Sequence, residues 1–273
     1  MRLVGWTIVA SLVATDAGAQ KLLLELRPQA GDTLHMHLEQ VTELSSARAG
    51  GAPSSMTTTM HMYSRAIVES TAPIAALILA VTDSVVVVGD APSARALDEQ
   101  ARRDMTGRKV RLRLWPDGTV TLNDGARSVP REVSDLVNVM PASFPSRPVG
   151  VGETWTREMP IPSGDQLGIP AGSSVHARFR LDSVTAGGDE AWISIAGSLQ
   201  PAGNSSDAVG GSVSGVLVVD LERGWLSQSR FVLQLRSMVA QKTAAAKDDT
   251  THFRVRVSQT MQVLKPTTGL RQR

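Results

Sequence analysis

Two histidines, His35 and His37, stand in the sequence LHMHLEQ, where apolar and polar residues alternate. Residues two apart in a strand share a face, so the two imidazoles would point the same way. A third ligand from His61 or Glu39 would then complete a metal site. The same alternation also predicts two solvent-facing positions opposite an apolar row, and no further ligand stands at a recognisable spacing. We therefore expect no metal and no other cofactor.

Signatures of nucleophilic and acid–base catalysis are incomplete. The stretch GGSVSG, from Gly210 to Gly215, has Val213 where a G-x-S-x-G elbow needs serine. Its composition predicts a loop between strands. Three acid pairs fall on a predicted helix face or in turns, where carboxylates are normally solvated: Asp98 with Glu99, Asp189 with Glu190, and Asp248 with Asp249. Motifs for a P-loop, a zinc protease or an EF-hand do not occur. The sequence predicts a protein that is not an enzyme.

Apolar side chains remain as candidates for binding. Methionine adapts to irregular apolar ligands, although ordinary core packing is its commoner use. The candidates lie on the apolar faces of predicted strands and of one predicted helix, where they would contact a hydrophobic ligand: Met60, Met62, Val110, Leu112, Leu136, Met140 and Phe179. Arginines occupy the opposite faces, a pattern typical of the solvated side of a sheet and also suited to anionic lipid headgroups.

These candidates need long strands to position them. Alternation of period two runs for about 10 to 15 residues in five stretches. The stretches are Met56 to Ser70, Ile74 to Val88, Ser174 to Thr185, Ser212 to Leu221 and Trp225 to Val239. Strands of this length twist and curl strongly. The predicted fold is mainly β: a long curled antiparallel sheet, forming a half-barrel or open barrel of about 12 strands.

Two short helices are predicted beside the sheet. The first covers residues 93–106, with Ser93 as its N-cap and apolar residues at helical spacing. The second covers about residues 130–141, between Pro130 and Pro141. Both are expected to lie on the sheet as lids.

A repeated order of motifs predicts an internal duplication. Arg27-Pro28 leads to Gly31-Asp32-Thr33, and Arg147-Pro148 leads to Gly152-Glu153-Thr154. Long strands and a glycine turn follow in both halves. Repeat A would cover about residues 22–125 and repeat B about 147–241, with the helical connector at about 130–141 and a last strand at about 250–265. Chance reuse of such turns in a β protein is the alternative.

The beginning of the chain has the pattern of a secretory signal. Arg2 precedes an apolar run over residues 3–14 and a small-residue site ending at Ala19. Residues 1–19 are expected to be removed, leaving one β domain over 20–273 without a transmembrane segment and in the periplasm or secreted. The chain has no cysteine, so it has no disulfide. A net charge of +2 and 4% aromatic residues argue against nucleic acid as a partner.

The turns RPVGVGETWTREMP and GVLVVDLERGWLSQS resemble those of a family of uncharacterised exported bacterial proteins with G-[DE]-T-W and D-x-x-x-G-W motifs. The first repeat departs from that pattern with Leu34 in place of tryptophan. The expected architecture is also similar to periplasmic lipoprotein carriers, half-barrels that hold acyl chains beneath helical lids. The resemblance implies a binding module for a hydrophobic ligand or a lipidated envelope protein. A structural or protein-interaction domain without ligand is the alternative.

Overall fold

The alternating stretches form eleven antiparallel strands in the computed structural model, which describes residues 21–48, 51–90, 92–123, 143–161, 169–203, 209–242 and 248–264. The first five strands are β1 (Thr33–Arg48), β2 (Ser54–Ala72), β3 (Ala75–Gly89), β4 (Lys109–Leu114) and β5 (Val120–Leu122). The others are β6 (Thr154–Pro160), β7 (Ser174–Val184), β8 (Glu190–Gln200), β9 (Val209–Asp220), β10 (Trp225–Lys242) and β11 (Asp248–Leu264). One helix, α1 (Ala94–Met105), joins β3 to β4.

All eleven strands belong to one sheet, in the order β5-β4-β3-β2-β1-β11-β10-β9-β8-β7-β6. The last strand, β11, pairs with β1 from His35 to Arg48 and so lies in the centre between two meanders. We call β1–β5 half A and β6–β10 half B. The prediction of a mainly β, curled antiparallel sheet is confirmed, with eleven described strands where about twelve were expected. The helix expected over 130–141 lies outside the described residues.

Backbone hydrogen bonds at one end show how strongly the sheet curls. Leu26 N donates to Pro116 O in the β4–β5 turn, and the next residue, Arg27, donates to Gly224 O in the β9–β10 turn, both at 2.8 Å. In a flat sheet these turns would be six strand spacings apart, roughly 30 Å. Consecutive Cα atoms are only about 3.8 Å apart. The sheet is therefore rolled at this end, which we call the capped end because residues 21–28 and 143–149 cross it.

Glycines allow the backbones in half B to approach closely. A Cβ on Gly211 would lie 2.5 Å from Gln234 O, and one on Gly197 would lie 2.7 Å from His176 O. The loop predicted at Gly210 to Gly215 is therefore wrong: strand β9 begins at Val209 and continues through these glycines. Glycine within a strand often marks a place where another backbone approaches closely. Such a contact joins residues far apart in the chain, so the local amino-acid composition does not reveal it.

The two Gly-acid-Thr turns have matching structures. In each, the glycine has a positive φ, and its N–H donates to a residue of the second strand after the turn, β2 or β7. The N–H of that residue donates back to the carbonyl of the acid. The bonds are Gly31 N to Val68 O (2.9 Å) and Val68 N to Asp32 O (2.9 Å), and Gly152 N to Leu181 O (2.7 Å) and Leu181 N to Glu153 O (3.1 Å). A register shift follows both Val68 and Leu181. The duplication stays a prediction, which these matched bonds support.

Helix α1 protects an edge of the sheet. Strand β4 pairs with β3 only as far as Val81, and no other strand of the described residues pairs with the remainder of β3 on that side. The Asp98 carboxylate accepts a hydrogen bond from Val87 N at 2.8 Å, and this bond, with help from Arg102, lowers the pKa of Asp98. None of the helix residues is buried. The helix thus covers a strand edge, a common way to prevent edge pairing, rather than lying across the sheet as a lid.

Candidate functional site

Strand register places the described binding candidates on one face of the sheet. We call this the inner face, because its side chains pack against the crossing segments at the capped end. Met60 and Met62 of β2 share it with Val110 and Leu112 of β4, and Phe179 of β7 also lies on it. The other two candidates, Leu136 and Met140, lie outside the described residues. The described candidates therefore share one apolar face, as the sequence predicts. That they contact a ligand stays a prediction.

In half B the inner face is filled by the protein itself. Phe179 is 1% exposed, and its ring lies parallel to that of Trp155 with centroids 5.7 Å apart. Leu24 and Phe144 from the crossing segments are buried in the same cluster. The remaining buried members are Val149, Val175, Ala177, Leu181, Ala191, Ile193, Ile195, Val213, Leu217 and Val219. This half of the inner face is an ordinary hydrophobic core.

In half A the same positions carry smaller or more flexible side chains. Counted from the two matched turns, Leu34 stands where half B has Trp155, and Ala66 stands where half B has Phe179. The buried cluster of this half is small: Leu34, Ala66, Val68, Ala76, Ile78 and Leu114. Beyond it Val85, the partner of Met62, is also buried, and the face continues through half-buried side chains, which are Met36, Leu38, Met60, Met62, Val110 and Leu112. Half A therefore offers the apolar surface that half B has already covered.

Residues that the sequence analysis did not single out close the capped end. Leu26 packs against the clusters of both halves. Trp225 of β10 packs against the half A cluster, and its indole Nε1 is buried without a hydrogen-bond partner in the described structure. On β6, the guanidinium of Arg157 donates through Nη2 to Phe144 O at 2.5 Å. The apolar run KLLLELRP, which contains Leu26, was the available signal for a buried crossing segment.

Two grooves lie at the other end of the sheet, which we call the open end. They have volumes of about 740 and 780 Å³, within the range of small-molecule sites. The first crosses the five neighbouring strands β2, β1, β11, β10 and β9, and its apolar lining includes Met56, Leu235 and Val255. The second is lined partly by Val209 and Phe253. None of the described binding candidates lines either groove.

The histidines lie on the opposite, outer face. His37 Nε2 is 3.4 Å from His61 Nδ1, and Glu39 Oε2 is 3.7 Å from the same nitrogen. The ring of Tyr63 stacks on His37 with centroids 4.6 Å apart. Of the two further residues named from the sequence, His61 therefore lies beside His37, and Glu39 lies beside His61. Even so, no three histidine, aspartate or glutamate side chains in the described ranges are placed to hold a metal ion.

No protein-family model and no curated protein matches this chain. Among solved structures, one of lipid–protein interactions in lipovitellin matches 89% of this chain at 7% sequence identity with a TM-score of 0.50. This chain spans 26% of the length of that lipovitellin chain. The likeness concerns the fold alone.

Two other solved structures match over most of both chains. DynF from the dynemicin biosynthesis pathway of Micromonospora chersina is 11% identical, with coverage of 93% of this chain and 90% of its own and a TM-score of 0.24. A LolA superfamily protein from Nitrosomonas europaea is 10% identical, with coverage of 86% and 88% and a TM-score of 0.13. Scores this low carry no argument about this fold.

In the part of the chain that the structure describes, no helix has the length and apolar character needed to cross a membrane.

Proposed function

We propose that this protein is a non-enzymatic module of the bacterial cell envelope that binds a hydrophobic or lipidic ligand, or a lipidated partner. The observation that carries this proposal is the inner face of half A. It presents half-buried methionine, leucine and valine side chains at positions whose counterparts in half B form a filled core. Burial of such apolar surface by a ligand is favourable by about 25 cal/mol per Å².

The chemistry of the half A residues suits acyl chains. Met60 and Met62 have flexible, polarisable side chains that adapt to ligands of irregular shape. Leu112 and Val110 extend the same face onto β4. Phe179 is 1% exposed within half B, so an acyl chain would reach it only after the core side chains above it moved. We therefore propose that Met60, Met62, Val110 and Leu112 are the principal contacts.

The comparison with lipovitellin supports the choice of ligand class. The solved structure with a TM-score of 0.50 is one of lipid–protein interactions, a property of that protein. A shared curled sheet makes a lipid the first ligand to test in this chain. The export pattern of residues 1–19 supports a location in the periplasm or outside the cell.

A structural or protein-interaction role without a ligand is the second candidate. The observation that favours it is the filled inner face of half B, where Ile193 is fully buried and Leu181 is 1% exposed. If half A is closed in the same way in solution, the module has no site for a ligand. The two candidates differ in what co-purifies with the protein.

Native mass spectrometry of the protein purified gently from its exporting cells tests the proposal. We expect an adduct of acyl-chain mass, identified by lipid analysis of the same preparation. Met62→Lys should lose the adduct, because a charge on the inner face of half A opposes apolar burial. Val86→Lys is the matched control, since Val86 lies on the outer face opposite His61 and is 36% exposed. A clean apoprotein mass for the folded wild type would contradict the proposal and favour the structural role.

A further inference from the structure

Two arginines stand directly opposite each other on the outer face of neighbouring strands. Arg236 of β10 and Arg254 of β11 are register partners, and both side chains are exposed. Directly opposed side chains have Cβ atoms about 5 Å apart, and like charges in such positions destabilise a sheet. The two opposed guanidinium groups therefore form a positively charged site, and a bound anion would reduce the repulsion between them.

Carboxylates do not neutralise the pair within the described structure. Neither Arg236 nor Arg254 forms an ion pair there, whereas the adjacent Arg256 is bonded to Glu43 with Nη1 3.3 Å from Oε1. The side chain of Arg236 extends over Gly210, where an added Cβ would lie 3.1 Å from its Nε atom. Glycine at that position leaves the space in which the guanidinium lies.

The pair lies where the two grooves of the open end meet. Arg236 and Arg254 line both the 740 Å³ groove and the 780 Å³ groove, as does Ser45, the cross-strand partner of Arg254. Ser212 adds a further hydroxyl group to the first groove. An anion at the pair would thus have guanidinium and hydroxyl donors around it and open space on both sides.

We propose that Arg236 and Arg254 form a binding site for the phosphate group of an anionic lipid headgroup. Guanidinium groups bind phosphate oxygens in a bidentate manner, and two of them match a group with several acceptor oxygens. The second groove is also lined by Met238, which lies on the same face as Arg236 and is 40% exposed, apolar surface that a free phosphate ion would leave unused. The site does not rest on the proposed function, since both arginines are on the outer face and the half A candidates are on the inner face.

The test compares binding of the full chain to phosphatidylcholine vesicles with and without phosphatidylglycerol. The variant Arg236→Gln with Arg254→Gln should bind the anionic vesicles about 30-fold more weakly, from about fivefold per basic residue at such a surface. The matched control is Arg178→Gln with Arg230→Gln, which removes the same charge from the same face at exposed positions that are not register partners. The control should bind much more tightly than the paired variant.

A purely structural role for the pair predicts lower thermal stability of the paired variant, whereas relief of repulsion predicts equal or higher stability. Arg236→Lys with Arg254→Lys keeps the charge but loses the planar fork and should bind with an intermediate affinity. Inorganic phosphate should compete with the vesicles.

Equal losses of vesicle affinity in the two Gln variants, or no preference for vesicles that contain phosphatidylglycerol, would overturn the proposal. If inorganic phosphate bound only when both arginines were present and the vesicles did not bind, the ligand would be a free phosphate ion, and the lipid headgroup would be excluded.

Discussion

Half A and half B have the same order of strands and the same glycine turns, but they differ in how the inner face is occupied. Half B places Trp155 and Phe179 beneath the crossing segments, while half A has Leu34 and Ala66 at those positions. Matched backbones thus carry a filled core in one half and a half-covered apolar face in the other. The difference shows that side-chain size, more than strand geometry, decides which part of a curled sheet is available to a ligand.

The chain also covers half B more completely than half A. After β6, Ile161 and Ile169 pack with Leu199 and Val209 in a separate cluster on the same half. In half A, by contrast, β1 and β2 are joined by residues 49–53 only. The longer connection supplies apolar side chains that bury half B, and the short hairpin cannot do so. The length of the connecting segment, together with side-chain size, therefore determines which half has a buried core and which half keeps an accessible apolar surface.

The largest expected difference between the halves is the cost of truncating an inner-face side chain. Phe179→Ala should lower the free energy of unfolding by about 3–5 kcal/mol, because it leaves a cavity in a filled core. Met62→Ala should cost well under about 2 kcal/mol, because that side chain is only half-buried. Urea denaturation of the ligand-free proteins measures both values. Equal costs would show that half A is as tightly packed as half B and would break the comparison.

A smaller difference is expected at the acids of the two matched turns. Glu153 lies 2.7 Å from Arg147 Nη1 and 3.3 Å from Lys21 Nζ, and hydrogen bonds from these cations lower its pKa. A lowered folded-state pKa gives stability that is present above the usual glutamate pKa of about 4.3 and is lost as the pH falls through the lowered value. Glu153→Gln should therefore flatten the decline of Tm with acidification in that range.

The matched control for that measurement is Asp32→Asn in half A. In the described structure Asp32 accepts a hydrogen bond from Gln29 N but forms no ion pair. Thermal melts across the acid range should therefore show a larger pH-dependent difference for Glu153→Gln, which loses two ion pairs, than for Asp32→Asn. The same change of slope in both variants would mean that the turns are electrostatically alike, and the contrast between them would have to be abandoned.

Local periodicity was sufficient to predict most of the fold. The stretch from Met56 to Ser70 became β2 (Ser54–Ala72), and the helix expected at 93–106 became α1 (Ala94–Met105). Alternation repeats every two residues and helical spacing every turn, so both are visible in a short window of sequence. The start of β9 could not be predicted because Gly210 to Gly215 have the composition of a loop. The reason for these glycines is the close approach of β10, which follows later in the chain.

The candidate sites were less accessible to sequence reasoning. The shared face of Met62 and Leu112 follows from alternation, but the different packing of the two halves depends on contacts with Leu24 and Phe144, far away in the chain. The pair of Arg236 and Arg254 depends on the register of β10 with β11. Register is fixed by the turn and by packing along the whole strand, so alternation gives the face of each arginine but not its partner.

Photocrosslinking with a diazirine-labelled long-chain fatty acid tests the central claim most directly, because it reports which inner-face residues a hydrophobic ligand touches. The labelled positions would be mapped by mass spectrometry of the digested protein. The difference between the halves predicts labelling in β2 and β4, around Met60, Met62, Val110 and Leu112, with β7 and β8 unlabelled. Labelling concentrated on β7 and β8, or no labelling of the folded protein above a denatured control, would contradict the claim that half A is the binding surface.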